Sequence, residues 1–250
     1  MSWSWRVFVG AGLLSLAAFL VAGFPARLAW AWWGPRAQTV HVSGISGTVW
    51  NGSASRVTVG DGSLLDVRWQ LRPARLFLLR LGYRFRARLQ QGYVHGDAAF
   101  TPSGTLRLDN VAGQSDIRAL GALMKAGRLP AKGQVNLQLE TLAWKGGHPT
   151  DASGRVSVSD LKLDLGDRDV SLGQYGIDIH RKGNRIVGDI RDRGGPLQAS
   201  GDASLDPGGL YRVELAITQR HPGSQLHNLL GMLGRPDANG TYHLKLNGRI

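Results

Sequence analysis

Gly133-Gln134-Val135-Asn136-Leu137-Gln138-Leu139-Glu140 switches between apolar and polar side chains at every step. In an extended chain that alternation puts Val135, Leu137 and Leu139 on one side and Gln134, Asn136, Gln138 and Glu140 on the other, as an antiparallel strand with one wet face requires. The unit recurs in Gly104-Thr105-Leu106-Arg107-Leu108, Gly154-Arg155-Val156-Ser157-Val158 and Gly240-Thr241-Tyr242-His243-Leu244-Lys245-Leu246. Val67, Trp69 and Leu71 repeat it, as do Tyr83, Phe85, Ala87 and Leu89, and Val213, Leu215 and Ile217. The chain therefore reads as mainly β, with an extended antiparallel sheet domain over residues 41–250. Between Val158 and Leu161 the apolar phase slips by one residue, which a bulge or turn at Ser159-Asp160 would absorb. Asn51-Gly52, Asn239-Gly240 and Asn247-Gly248 are expected as tight hairpin turns.

Helical signals are few and short. They cover 73–81 with Pro73 at its start, 116–125 ending ahead of Gly127, and 225–233 capped by Ser224 and stopped by Gly234 and Pro236. Three such helices cannot cover the apolar face of a dozen strands. That face must fold on itself, meet a partner or hold something apolar.

The N-terminus is different. Residues 7–24 carry no charge and reach the minimum length of a spanning helix. Ala29-Trp30-Ala31 fits a signal-peptidase site in form, yet Trp3 and Trp5 precede the apolar run and Trp30, Trp32 and Trp33 follow it, as two interfacial belts would. An uncleaved anchor is expected: a tail over 1–6, a transmembrane helix over 7–28, a linker over 29–40 and then the β domain. Trp5 and Trp30 mark its ends. Ala11, Ser15, Ala18 and Ala22 form a small-residue stripe that would admit another helix. The flanking charges, Arg6 against Arg27 and Arg36, are too evenly matched to orient it.

The 250 residues contain no Cys, which excludes disulfides, thiolate metal sites and cysteine nucleophiles. The net charge of +12 is uneven, for residues 1–37 hold three basic and no acidic side chains, residues 38–132 hold 13 and 5, and residues 133–250 hold 14 and 13. Arg68, Arg72, Arg75, Arg80, Arg84, Arg86 and Arg88 fall in 21 residues that lack Asp and Glu. Arg84, Arg86 and Arg88 share a strand face opposite to that of Tyr83 and Phe85, so the aromatics turn away from the cations and a nucleic-acid surface is not indicated. Arg68, Arg72, Arg84, Arg86 and Arg88 are candidate contacts for an acidic protein or anionic headgroups. The seven histidines match no metal motif, Asp160, Asp164, Asp167 and Asp169 do not fit a calcium loop, and no nucleophile elbow or phosphate loop occurs. No cofactor, metal or catalytic residue is assigned.

Gly44-Ile45-Ser46-Gly47-Thr48-Val49-Trp50-Asn51-Gly52-Ser53-Ala54 and Val67-Arg68-Trp69-Gln70-Leu71-Arg72-Pro73, taken with features of the last third, resemble the type II secretion system protein N family. Those features are Gly173-Gln174-Tyr175, Gly194-Gly195-Pro196-Leu197, Ser200-Gly201, and Leu233-Gly234-Arg235 running into Gly240-Thr241-Tyr242. The resemblance implies a single-pass inner-membrane protein of a Gram-negative bacterium with its β domain in the periplasm. It would be an accessory to the platform that works with the outer-membrane secretin in exporting folded proteins, and not an enzyme. Gly47, Trp50, Gly52, Trp69, Pro73, Gly195, Pro196 and Gly201 then read as structural positions. The alternative is a lipid-binding or lipid-transfer protein of the AsmA-like type, whose strand repeats look similar and whose apolar sheet face would carry acyl chains.

Overall fold

The computed structural model describes residues 3–33, 40–72, 81–101, 103–123, 130–166, 168–220, 230–231 and 235–249, with the side chains of 3–7, 18, 33 and 123 left aside. Two helices come first, α1 over Trp3–Ala22 and α2 over Ala26–Trp33. Thirteen strands follow: β1 Val40–Gly47, β2 Asn51–Val59, β3 Gly62–Leu71, β4 Leu81–Leu89, β5 Gly92–Phe100, β6 Leu106–Asp116, β7 Ala131–Lys145, β8 His148–Asp164, β9 Asp169–Lys182, β10 Arg185–Gly194, β11 Leu197–Leu205, β12 Leu210–Gln219 and β13 Thr241–Arg249. A short helix α3, Ile117–Leu123, follows β6. All thirteen strands form one open antiparallel sheet in which each pairs only with its neighbours in sequence.

The alternation decides the two faces. One cross-strand row runs Ala87, Val94, Gly113, Leu137, Val156, Ile177, Ile190, Gly201, Leu215, Leu244, apolar throughout. The neighbouring row on the opposite face runs Arg86, His95, Ala112, Gln138, Arg155, Asp178, Asp189, Asp202, Glu214, Lys245. Helix α3 touches β3 as well as β6 and β7.

That side is thinly covered. Among the described residues no large side chain is fully buried, and the tightest apolar cluster, Val170, Leu197, Leu230 and Tyr242, lies in the C-terminal third where Leu230 packs down on the sheet. The chain exposes 16383 Å², against roughly 10,800 Å² for a compact protein of its mass.

Several expectations are met residue by residue. The phase slip in β8 is a bulge: Asp160 has φ of 50° and the register against β9 shifts between Val158 and Leu161. Asn239-Gly240 closes a turn in which Gly240 N–H donates to Asp237 O. Asn51-Gly52 opens β2, with Asn51 O accepting from Thr48 N–H to close the reversal before it, whereas Asn247-Gly248 lies inside β13. Their glycines are needed for close packing: a Cβ on Gly52 would sit 2.5 Å from Trp69 Cζ2, and one on Gly248 would sit 2.5 Å from the Tyr211 hydroxyl.

Of the helices expected over 73–81, 116–125 and 225–233, the second is α3, with the Asp116 carboxylate accepting from Arg118 N–H at 2.8 Å as its cap. Leu81 belongs to β4 and Leu230-Gly231 is helical; Pro73, with most of the first and third segments, lies outside the described residues.

The helix expected over 7–28 is not continuous. It stops at Ala22, Phe24 and Pro25 carry the chain across the end of β1, and α2 occupies 26–33 where a linker was expected to begin at 29. Pro25 has no N–H for a helical bond, and its pairing with Thr48 fixes the break. Among the described residues no helix is long and apolar enough to cross a membrane. Trp5 and Ala18 lie outside the described side chains. Ala11, Ser15 and Ala22 are exposed along α1, together with Phe8, Leu13, Leu14, Phe19 and Leu20.

Candidate functional site

The residues that carried the N-terminal motif meet at one place, the junction between α1 and the sheet. β1 ends at Gly47, whose φ of 79° starts the tight reversal through Thr48, Val49 and Trp50. Trp50 Nε1 donates at 2.6 Å to Val21 O, a carbonyl at the end of α1 that also accepts from Phe24 N–H at 3.3 Å. Val49 N–H donates to Phe24 O at 3.0 Å, and Pro25 bridges Thr48. Trp69, one strand over, donates Nε1 to Thr48 O and Val49 O at 3.3 and 3.1 Å, while its ring occupies the space that Gly52 leaves open. Gly47, Trp50, Gly52 and Trp69 therefore form a clamp holding the end of α1 against the first hairpin.

An apolar trough of about 580 Å³ opens beside this clamp. Ala26, Ala29 and Trp30 of α2 form one wall; Val42, Ala54, Val67 and Tyr83 of the sheet form the floor. Positions 26, 29 and 30 share a helical face, a spacing that could have revealed α2 in the sequence. Trp30 is thus half-buried against the sheet, and Trp32 is exposed, its ring centre 6.0 Å from that of Phe24.

On the polar face the arginine cluster divides. Arg72 Nη1 donates to Asp97 Oδ2 at 2.7 Å, and Arg84, directly opposite Asp97 across the β4–β5 ladder, has its Nε 3.6 Å from Oδ1. Arg88 pairs with Asp66 at the β3 bulge. These three arginines are absorbed into the fold by acids that lie outside the Asp- and Glu-free stretch. Arg68 and Arg86 face each other across β3 and β4, both exposed, with no carboxylate within ion-pair distance among the described residues. Tyr93 and His95 stack at 5.9 Å on β5, opposite Arg88 and Arg86, so an aromatic pair does lie beside the cations. It comes from the neighbouring strand, which alternation within β4 could not reveal. At the far end of the same face Asp178, Asp189, Asp202 and Glu214 oppose one another on four successive strands.

The remaining candidates are structural. Lys132 bridges β7, β8 and β9, with Nζ 2.7 Å from Asp169 and 3.1 Å from Asp164. The Gly166 N–H and then Lys132 hold the Asp164 carboxyl below the usual carboxylate range, and bonds to Asp169 and then Asp164 raise the Lys132 ammonium. Among the described residues no group of His, Asp and Glu could hold a metal ion. Gly195 and Gly201 are close-approach positions, where a Cβ would meet Gly173 Cα at 2.4 Å and Glu214 O at 2.0 Å. Pro196 O accepts from Arg220 N–H at 3.0 Å, and the Arg220 guanidinium pairs with the half-buried Asp192. Beneath them burial, and then the Asp192 charge, push the Tyr175 hydroxyl up to about 12; it donates to Leu172 O at 2.6 Å.

No solved structure matches the chain. A curated relative, "Type II secretion system protein N" of Aeromonas hydrophila, is 28% identical over 258 aligned positions, covering 95% of this chain and 96% of the relative. The family model "Type II secretion system (T2SS), protein N" matches residues 38–245, from the approach to β1 into β13. A match of that extent, over the clamp and twelve complete strands, means that the chain belongs to the type II secretion system protein N family.

Proposed function

We propose that the protein is a tethered accessory of the type II secretion machinery, anchored in the inner membrane by α1, with its sheet in the periplasm, acting through protein contacts. The observation that carries this reading is the clamp. α1 sets Phe8, Leu13, Leu14, Phe19 and Leu20 into the open around its described part. A helix apolar on all sides needs an apolar environment, and Trp50, Phe24 and Pro25 fix its end to the sheet. Contacts with the inner-membrane platform, or with the secretin, would use the polar face around Arg68 and Arg86.

The test is affinity capture of the full-length chain from detergent-solubilised membranes of secreting cells, probed for the known secretion components. The wild-type chain is expected in the membrane fraction with platform components attached, and R68E/R86E is expected to lose them while staying in the membrane. A soluble wild-type chain would overturn the anchor, and unchanged capture by R68E/R86E would overturn the contact face. The trough favours a second reading, lipid handling, because it opens beside the end of α1 and is apolar in lining. Phospholipid retained by a detergent-free sheet domain would support that reading instead.

A further inference from the structure

An open sheet has two edges, and this one treats them differently. At the first, Gly44 takes φ of 65° and drops out of the ladder with β2, α2 packs against the strand, and Phe24-Pro25 bond the residues that follow it. Covering an edge with a helix or loop is one means by which proteins blunt it. At the last, β13 pairs with β12 over nine residues without a register shift, from Leu210↔Arg249 to Thr218↔Thr241. It contains no proline and no positive φ. Its hydrogen bonds and ion pairs among the described residues go to β12 and to Asp237. Every second residue of such a strand directs its N–H and C=O outward with no partner.

We infer that the outer edge of β13 is a strand-addition site for an extended partner segment alternating apolar and acidic residues. On the apolar face the edge carries buried Tyr242, half-buried Leu244 and Leu246, the last 49% exposed. On the polar face it offers His243, Lys245 and Arg249, all exposed. An added strand keeps both faces continuous only if its apolar residues fall opposite the first set, and opposite-charge cross-strand pairs favour acids opposite the second. A second copy of β13 fits poorly: antiparallel registers centred on residues 244, 245, 246 and 247 set His243 against Lys245, Lys245 against itself, His243 against Arg249, and Lys245 against Arg249. Half-step registers would turn apolar side chains onto the polar face.

This deepens the accessory reading, on which it rests only for where the partner resides. Twelve inter-strand steps put β13 up to about 58 Å along the sheet from the anchored end, so the free edge is the one farthest from the membrane helix. The test uses the full chain in detergent and two synthetic nine-residue peptides, one alternating valine with glutamate and one alternating valine with lysine, with hydrogen exchange as the readout. The acidic peptide is expected to bind, to protect alternate amides of β13 alone, and to bind about tenfold more weakly to K245E/R249E. The lysine peptide is expected not to compete. Equal binding of both peptides, protection at β1 or around Arg68 and Arg86, or concentration-dependent protection of β13 without peptide would each overturn the assignment. The last outcome would identify a second copy as the occupant. Because the experiment involves neither a membrane nor a secretion component, its failure would leave the anchoring and capture results standing.

Discussion

Gly52 carries more of the junction than any charged residue does. A methyl group there meets the Trp69 ring at 2.5 Å, Thr48 O at 2.7 Å and Ser46 O at 2.8 Å; two of these three are backbone atoms that no rotamer change can move. G52A is therefore expected to destabilise the folded sheet by about 1–3 kcal/mol, the range for overpacking, seen as a lower urea midpoint at unchanged slope. W50F leaves a smaller aromatic ring in place and removes one of the two donors to Val21 O, Phe24 N–H being the other. Its expected effect is smaller, about 1 kcal/mol, and local: faster amide exchange at the end of α1 and at Val49, with the exchange of β3 and β4 unchanged. If W50F loosened the whole sheet, Trp50 would be a core residue and not a clamp on the helix end.

Alternation made the strands legible, because period two survives at any point of a sheet whose one face is apolar, and the bulge at Asp160 announced itself as a phase error. The partners of the arginines were not legible. Asp97 reaches Arg84 only through the register of the β4–β5 hairpin, and Asp66 reaches Arg88 only through the bulge in β3, so a window free of acids in sequence became a face half neutralised in space. The same holds between strands at the β8–β9 turn, where Lys132 of β7 joins Asp164 and Asp169. Asp164 is held below the usual carboxylate range, first by the Gly166 N–H and then by Lys132. Its charged form is thus favoured in the fold. That contribution is complete above the usual carboxylate range and is lost as pH falls through it to the lowered folded value. D164N lacks the titration, so its urea midpoint should fall less than that of the wild type between pH 7 and pH 3. An equal fall in both proteins would show that this turn contributes nothing to acid sensitivity.

Across the whole molecule, every strand contacts chiefly its two neighbours, so stability should be distributed along the ribbon as it is in repeat proteins and not pooled in one core. The longest strands, β7 with 15 residues and β8 with 17, lie at the middle and are paired on both sides. The ends are shorter, with eight residues in β1 and nine in β13, and each is paired on one side. The clamp ties β1 to α1, whereas among the described residues off the sheet β13 is met by Leu230 and Asp237. Local opening should therefore cost least at β13 and most at β7 and β8. Native-state hydrogen exchange of the full chain should show protection rising from β13 through β11 to a maximum at β7–β8, then falling less steeply toward β1. The asymmetry between the ends is the informative part, since a strand that frays easily can also accept another strand. Uniform protection through β13 would mean that the sheet unfolds as one cooperative block, and a ribbon of neighbour contacts would no longer describe how it is held together.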